Sequence, residues 1–324
     1  MDKLIIPSYF DSFDLKVIED LALDYVNEVD YILFTSDVNT DRFPSSKILG
    51  NKKNKHIIDK YKMYKKLHKN FSMPLTFKID SLQEAKEIII NYPEKKFIVK
   101  PITGTGGVGI KFFNENLIID EPILLQEFIE GDNVSSSFLS YKSHKIDMVT
   151  TSEQIIGSEM LGASEFMYCG NITPLVNSNP KLINISTKIS KMYKLLGSNG
   201  IDFILQKNKV YVIEVNPRIQ GTFECVETSF NMNLAKAHID VSNDKQISIP
   251  KLQKFTVKLV PYSFEDAKYN ISGDSNIKDI STQDFTIKKG FPISTILVSD
   301  RILENAMSKA EILRKKIYNS KLVK

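Results

Sequence analysis

The sequence predicts a chain of α/β to α+β class with mixed or antiparallel sheet. Three observations predict it. The first fifty residues alternate strand and helix patterns. A lysine-ended apolar strand then runs through a glycine loop into a second apolar strand. Finally, two β-branched runs flank a short polar turn near residue 208. A doubly wound sheet is excluded because the glycine loop is followed by strand residues rather than by a helix.

The elements follow in order. Leu4–Ile6 reads as a short strand, Leu15 to Val26 as an amphipathic helix and Tyr31–Phe34 as a second strand, together a small open α/β unit. Asp59 to His68 reads as a helix. Ser81-Leu82-Gln83-Glu84 is a capping box opening a helix that runs to Ile90, where Asn91-Tyr92-Pro93 stops it. Strands are expected at Ile123–Gln126, Val134–Leu139 and Lys145–Thr150. The stretch 157–180 has no regular period, and Lys181 to Leu196 forms a helix ended by Gly197-Ser198-Asn199-Gly200. Beyond Asn231, strands are expected at Phe255–Val260 and Ile293–Val298, with a last amphipathic helix from Ile302 to Tyr318.

Composition narrows the function classes. The 324 residues are long for a single core, and 42% apolar with 25% charged content is ordinary for a globular protein. A net charge of +4 is too mild to argue for nucleic acid. No 18-residue apolar span and no leader pattern at Met1-Asp2-Lys3 occurs, so a cytoplasmic protein without membrane partners is expected. Two cysteines, Cys169 and Cys225, and four scattered histidines offer no zinc-ligand spacing. Cys169 is expected to be a packed small hydrophobe rather than a nucleophile.

Two constellations carry chemistry. Phe97-Ile98-Val99-Lys100 leads into Pro101-Ile102-Thr103-Gly104-Thr105-Gly106-Gly107-Val108-Gly109, with four glycines in six residues. Bare backbone N–H groups beside a lysine suit a phosphate. Gly104-x-Gly106-x-x-Gly109 satisfies a dinucleotide pattern, but Ile110-Lys111-Phe112-Phe113 reads as strand, and no Gly-Lys-Ser/Thr is present for a Walker loop. A hairpin tip that folds over polyphosphate fits better.

The second constellation lies on the runs 201–206 and 210–216 around Lys207-Asn208-Lys209. A hairpin centred near Asn208 pairs residues whose numbers sum to 416, which sets Asp202 opposite Glu214, with Asn216 on the same face. Opposed carboxylates repel unless a cation bridges them, and an all-oxygen set suits Mg²⁺. Pro217 ends the strand, and Arg218 offers a planar fork for phosphate or acyl-phosphate oxygens.

Taken together, these residues resemble the ATP-grasp superfamily, in order from about Asp59 to Glu227. Asp59-Lys60 resembles its first phosphate lysine and Val99-Lys100-Pro101 its second. Gln126-Glu127-Phe128-Ile129-Glu130-Gly131 is similar to the hinge whose backbone reads adenine, with Asp132 the nearest candidate for ribose. Asp202 with Glu214-x-Asn216-Pro217-Arg218 resembles the magnesium signature, in the form seen in carbamoyl-phosphate synthase and related carboxylate–amine ligases, with an archaeal-type ligase the nearest branch. The resemblance implies two α+β lobes gripping ATP behind the small N-terminal unit: residues 1–55, an ATP-grasp domain over 56–245, and a C-terminal α+β segment over 246–324 that completes the fold.

It further implies an ATP-dependent ligase using Mg²⁺ (or Mn²⁺) and acting on a small carboxylate and an amine, with a homodimer as candidate assembly. Lys60, Lys100, Gly104, Thr105, Gly106 and Gly107 would hold phosphates. Asp202, Glu214 and Asn216 would hold metal, and Arg218 with Lys100 would serve catalysis. Phe166–Asn171 and Gln220–Glu224 are candidates for the substrate wall. An enzyme with another acceptor and a non-catalytic ATP-binding subunit are the competing readings.

Overall fold

Among the described residues, twelve strands build two sheets in which every pair of neighbouring strands is antiparallel. The computed structural model describes residues 15–177 and 179–322. The expected strand Leu4–Ile6 lies outside them.

The N-terminal unit contains helix α1 (Leu15–Asp24), two 3-10 turns and a small core of Val26, Val38, Phe43 and Ile48. Tyr31–Phe34 does not form the strand expected of it. Ile32 alone makes a parallel bridge, to Ile48, because Ile32 and Leu49 are the residues whose N–H groups find partners across the gap.

α2 (Lys55–Ile58) and α3 (Lys60–Leu67) follow. The carboxylate of Asp59 caps α3 by accepting the Lys62 N–H at 2.9 Å, and Met63 and Leu67, four apart, bury its inner face. β1 (Thr76–Ile79) leads to α4 (Leu82–Ile90), where Ser81 accepts the Glu84 N–H as expected, while Glu84 reaches one residue beyond the cap and accepts the Asp80 N–H. β2 (Phe97–Lys100), β3 (Lys111–Phe112) and β4 (Ile123–Glu127) complete a four-stranded sheet of order β1-β4-β2-β3, so the glycine loop is the tip of a true hairpin.

The larger sheet begins with β5 (Asp132–Ser140) and β6 (Ile146–Ile156). β7 (Tyr168–Thr173) corrects the irregular reading of 157–180: at Gly170 the neighbouring strand comes so near that an added Cβ would lie 1.9 Å from the Lys258 carbonyl oxygen. α5 (Pro180–Tyr193) is capped by Asn179 and starts on Pro180. Its Leu182, Ile189 and Tyr193 join Val134, Phe138 and Phe203 in the largest core, each such apolar side chain contributing about 1.5–3 kcal/mol by burial.

α5 stops at Lys194 in the left-handed conformation, short of the expected Leu196. Gly197–Gly200 do not cap it; they open β8 (Gly197–Gln206). Their missing side chains admit close neighbours, since a Cβ would lie 2.6 Å from His238 at Gly197 and 1.6 Å from Gln220 at Gly200. β9 (Lys209–Asn216) returns along β8.

Besides the short α2, two helices escaped the sequence reading, α6 (Phe223–Phe230) and α7 (Leu234–Ser242). Asn233 caps α7, and Leu234, Ala237, His238 and Val241 are its buried stripe, a helical spacing that would have found it. β10 (Phe255–Leu259), β11 (Ile277–Lys278) and β12 (Thr295–Asp300) extend the larger sheet to the order β11-β12-β10-β7-β6-β5-β8-β9, and α8 (Leu303–Asn319) covers its far end. No helix among the described residues is long and apolar enough to cross a membrane.

Candidate active site

The two sheets are joined by the four residues between β4 and β5, and a cavity of about 480 Å³ opens between them. Ile98, Lys100 and Gln126 face it from the small sheet, and Gln154, Ile156, Asp202, Ile204 and Glu214 face it from the large one. Thr105, Gly106 and Gly107 cover one side. The rings of Phe112, Phe128 and Phe166 meet edge-on, with centroids 5.0 to 6.2 Å apart, and tie the hairpin, the joining segment and the 157–167 loop together.

The carboxylate pair forms by a route the sequence did not reveal. The turn has two residues, so Gln206 faces Lys209 and Phe203 faces Val212, one out of the expected register. A β-bulge then makes Ile213 an extra residue of β9. Beyond it Asp202 faces Glu214 and Gly200 faces Asn216, as expected. Asp202 accepts from the side-chain amides of Gln154 and Asn216, each at 3.0 Å. Burial, and then the charge of Glu214, pushes the Asp202 carboxyl up to about 7. Two half-buried acids held side by side, with an amide beside them, present the oxygens that Mg²⁺ favours and a charge that a cation relieves. Among the described residues no group of three His, Cys, Asp or Glu side chains gathers for a metal. Asp202, Glu214 and Asn216 would thus have to share an ion with oxygens from a ligand or water.

Both lysines lie at this pair. Lys60, buried on α3, reaches Glu214 Oε1 at 3.0 Å and donates to the Gly104 carbonyl at 2.6 Å. It sits behind the cavity wall rather than on it, as does Gly104. Lys100 is buried on the wall, and its pKa is lowered to about 8 by burial first and by the nearby Lys60 charge second.

The glycine loop leans on the opposite lobe. The Tyr168 N–H donates to the Gly106 carbonyl at 3.2 Å, and Gly107, at φ +81°, lies so close that an added Cβ would stand 1.8 Å from the Phe166 carbonyl oxygen. Thr105 accepts from Arg218 at 3.3 Å.

The joining segment Gln126–Gly131 lines the cavity, but its side chains serve the fold. Gln126 donates to Thr76 at 2.8 Å, and Glu127 accepts the Leu75 N–H and pairs with Lys95. The backbone of Phe128 and Ile129 is what this segment can offer a ligand. Asp132, the ribose candidate, is exposed at the start of β5 beside the cavity, and its neighbour Asn133 lines the wall. Alternate residues of a strand point to opposite faces, so only one of the two can look inward.

Phe166, Tyr168, Gln220, Gly221 and Thr222 also line the cavity, as the substrate-wall expectation has it, and Cys169 is buried with its thiol pKa raised by that burial. Sequence reasoning missed three residues. Gln154 supports Asp202 from the middle of β6, and no signal marks it. Asp37 binds Arg218 Nε at 2.7 Å, with both side chains buried. Its position just past the apolar run Ile32–Phe34, where ligands meet open α/β units, was available as a signal. Asn51 donates to the Pro217 carbonyl at 3.0 Å.

A family model described as an ATP-grasp domain matches residues 57–222. An uncharacterized protein of Methanocaldococcus jannaschii is 33% identical over 307 residues, covering 90% of this chain and 75% of the relative. The tyramine–L-glutamate ligase of the same organism is 32% identical over 183 residues, 55% of this chain and 53% of the ligase, so the match spans about half of that enzyme. Among solved structures, the biotin carboxylase domain of 2-oxoglutarate carboxylase from Hydrogenobacter thermophilus, a complex with MgADP, ADP and bicarbonate, aligns with a TM-score of 0.70 at 15% identity, covering 96% of this chain and 78% of that one; at this identity the likeness shows the fold alone. The chain belongs to the ATP-grasp family of ATP-dependent ligases.

Proposed function

We propose that the protein activates a carboxylate as its acyl phosphate at the expense of ATP, and that an amine then displaces the phosphate to form an amide, with ADP and phosphate released. The observation that carries this reading is the opposed pair Asp202 and Glu214, set in one cavity with Lys100, Arg218 and a glycine loop. The two α+β lobes are consistent with a nucleotide held between them. Residues 1–55 are taken as the N-terminal unit and 56–245 as the ATP-grasp domain. Residues 246–324 complete the fold, which the sharing of one sheet by β7 and β10 supports.

A carboxylate is a poor electrophile at neutral pH, and phosphorylation supplies a leaving group. Such transfer depends on placing the partners and neutralising charge rather than on protein covalent chemistry. A magnesium ion held by Asp202, Glu214 and Asn216 would offset phosphate charge. Lys100 presents a buried ammonium to the cavity, and Lys60 holds Glu214 and the loop carbonyl of Gly104. Arg218 faces the same space and stabilises negative charge that develops on the acyl phosphate. Thr105–Gly107 excludes water by resting on the 166–168 segment, which protects the acyl phosphate from hydrolysis. No side chain is assigned as general base.

A kinetic test is ATP turnover with Mg²⁺ across a panel of carboxylates and amines, with Glu214→Ala as control. Substrate-stimulated ADP and phosphate release that vanishes in the variant supports the reading. Nucleotide binding without turnover under any pair favours a binding subunit, and AMP with pyrophosphate excludes the proposed chemistry.

A further inference from the structure

Arg218 is held by parts of the chain far from it in sequence. Its Nε donates to Asp37 Oδ1 at 2.7 Å, Nη1 to the Ile219 carbonyl at 3.3 Å and Nη2 to Thr105 Oγ1 at 3.3 Å. A guanidinium has five N–H groups, so these contacts leave one on each terminal nitrogen. An N–H left on each of two coplanar nitrogens suits the oxygens of one carboxylate or phosphoryl group. The backbone is gripped as well. Asn51 donates to the carbonyl of Pro217, next to Arg218, while its amide also bonds Leu196 O and Asn199 Oδ1.

The segment that supplies Asp37 and Asn51 is itself fixed. Val38 is buried with Phe43 and Ile48, and its carbonyl accepts from Asn54 at 3.2 Å. On the far side of Ile48, Leu49 O meets His238 Nε2 at 3.1 Å. Asp37 does not line the cavity, although Thr35 and Ser36 do. Its carboxylate therefore reaches the chemistry through Arg218. Burial works against the Arg218 charge, and the carboxylates of Asp37, Glu214 and Asp202, with Asp37 foremost, together hold the guanidinium above its ordinary pKa.

We propose that Asp37 is a positioning residue: it seats the N-terminal unit on Arg218 and turns the free end of the guanidinium toward the phosphoryl group in transfer. The proposal rests on the phosphoryl-transfer reading above. Asp37 fixes one edge of the fork and Thr105 fixes another. The unit before the ATP-grasp domain and the glycine loop thus converge on one cation, and closure of the loop and aim of the fork are a single event.

The test needs no knowledge of the substrates. MgADP with aluminium fluoride mimics the phosphoryl group in flight, and MgADP alone reports nucleotide binding. For Asp37→Asn we expect MgADP affinity within about twofold of wild type and retention of the fluoroaluminate complex weakened about tenfold or more. In an Arg218→Met background, Asp37→Asn adds nothing further, because the two act as one unit.

Equal weakening in both backgrounds, or none in either, overturns the assignment. If Asp37→Asn does not fold, Arg218→Met is compared with Arg218→Met/Asp37→Leu, which removes both buried charges. Equal retention supports the proposal, and lower retention in the double variant overturns it. A wild-type protein that binds no MgADP would instead overturn the functional reading itself. One that binds MgADP and retains no fluoroaluminate would overturn the phosphoryl-transfer reading, and the proposal with it.

Discussion

Asp202 and Glu214 oppose each other because Ile213 is an extra residue in β9. Without that bulge, Asp202 would face an isoleucine, and Glu214 would point to the other side of the sheet. A local irregularity thus creates a costly juxtaposition of two half-buried acids, as binding sites do when a ligand later supplies the compensating charge.

This pair has a pH signature. Asp202 is raised to about 7, so between the ordinary carboxylate range and pH 7 the folded chain keeps a proton that the unfolded chain has released. Stability from this group therefore falls as pH rises across that window and levels off above it. Asp202→Asn should flatten the difference between pH 5 and pH 7.5 in chemical denaturation. Addition of Mg²⁺ with ADP at pH 6 should release protons, read by calorimetry in buffers of unlike ionisation heat. Equal pH dependence in Asp202→Asn and wild type would contradict the assignment.

Lys100 carries its charge at a cost. Its burial and the neighbouring Lys60 lower its pKa to about 8, so its ammonium penalises the folded state below that pH, and the penalty lifts as pH rises from 8 toward the ordinary lysine value. Lys100→Met should raise the unfolding midpoint at pH 7 by about 2–5 °C, while lowering ATP turnover at least about a hundredfold. A destabilised variant with full turnover would show that the lysine is structural.

The glycine loop makes a steric prediction. Gly107→Ala puts a methyl into the Phe166 carbonyl from a backbone at φ +81°. The loop must then stand off, so the apparent affinity for ATP should fall about tenfold or more with little change in the unfolding midpoint. Gly106→Ala is the comparison: its φ is also positive, but the added Cβ meets nothing within 4 Å, so it should cost less. Equal losses in the two variants would count against contact with Phe166 as the cause.

Asn133 and Asp132 can be told apart. Asn133 lines the cavity and Asp132 is exposed beside it. Asn133→Ala should weaken binding of ADP, and Asp132→Ala should leave it within about twofold. The reverse ranking, read by calorimetry, would favour Asp132 as the ribose contact.

Much of this was legible in the sequence, and the exceptions have physical causes. The hairpin from Phe97, the capping box at Ser81 and the carboxylate pair all depend on neighbours close in the chain, which spacing reveals. The Asp202–Glu214 pairing came out right although the assumed turn was one residue too long, because the unforeseen bulge at Ile213 made up the difference. Gly197–Gly200 were misread because glycine marks both helix ends and close packing, and here His238 and Gln220 fill the space. β7 hid in a stretch rich in glycine and asparagine, since its partners β6 and β10 decide its conformation rather than its own propensity. Asp37 and Asn51 act on Arg218 and Pro217 from more than a hundred and sixty residues away, beyond the reach of any local pattern.

The most direct test of the central claim follows an oxygen atom. Once a carboxylate substrate supports turnover, it is supplied labelled with ¹⁸O and the released phosphate is weighed by mass spectrometry. Attack of the carboxylate on the γ-phosphoryl group, followed by amine displacement, predicts one ¹⁸O in each phosphate formed and none in ADP. Label in AMP, or phosphate free of label while amide accumulates, would contradict the acyl-phosphate account.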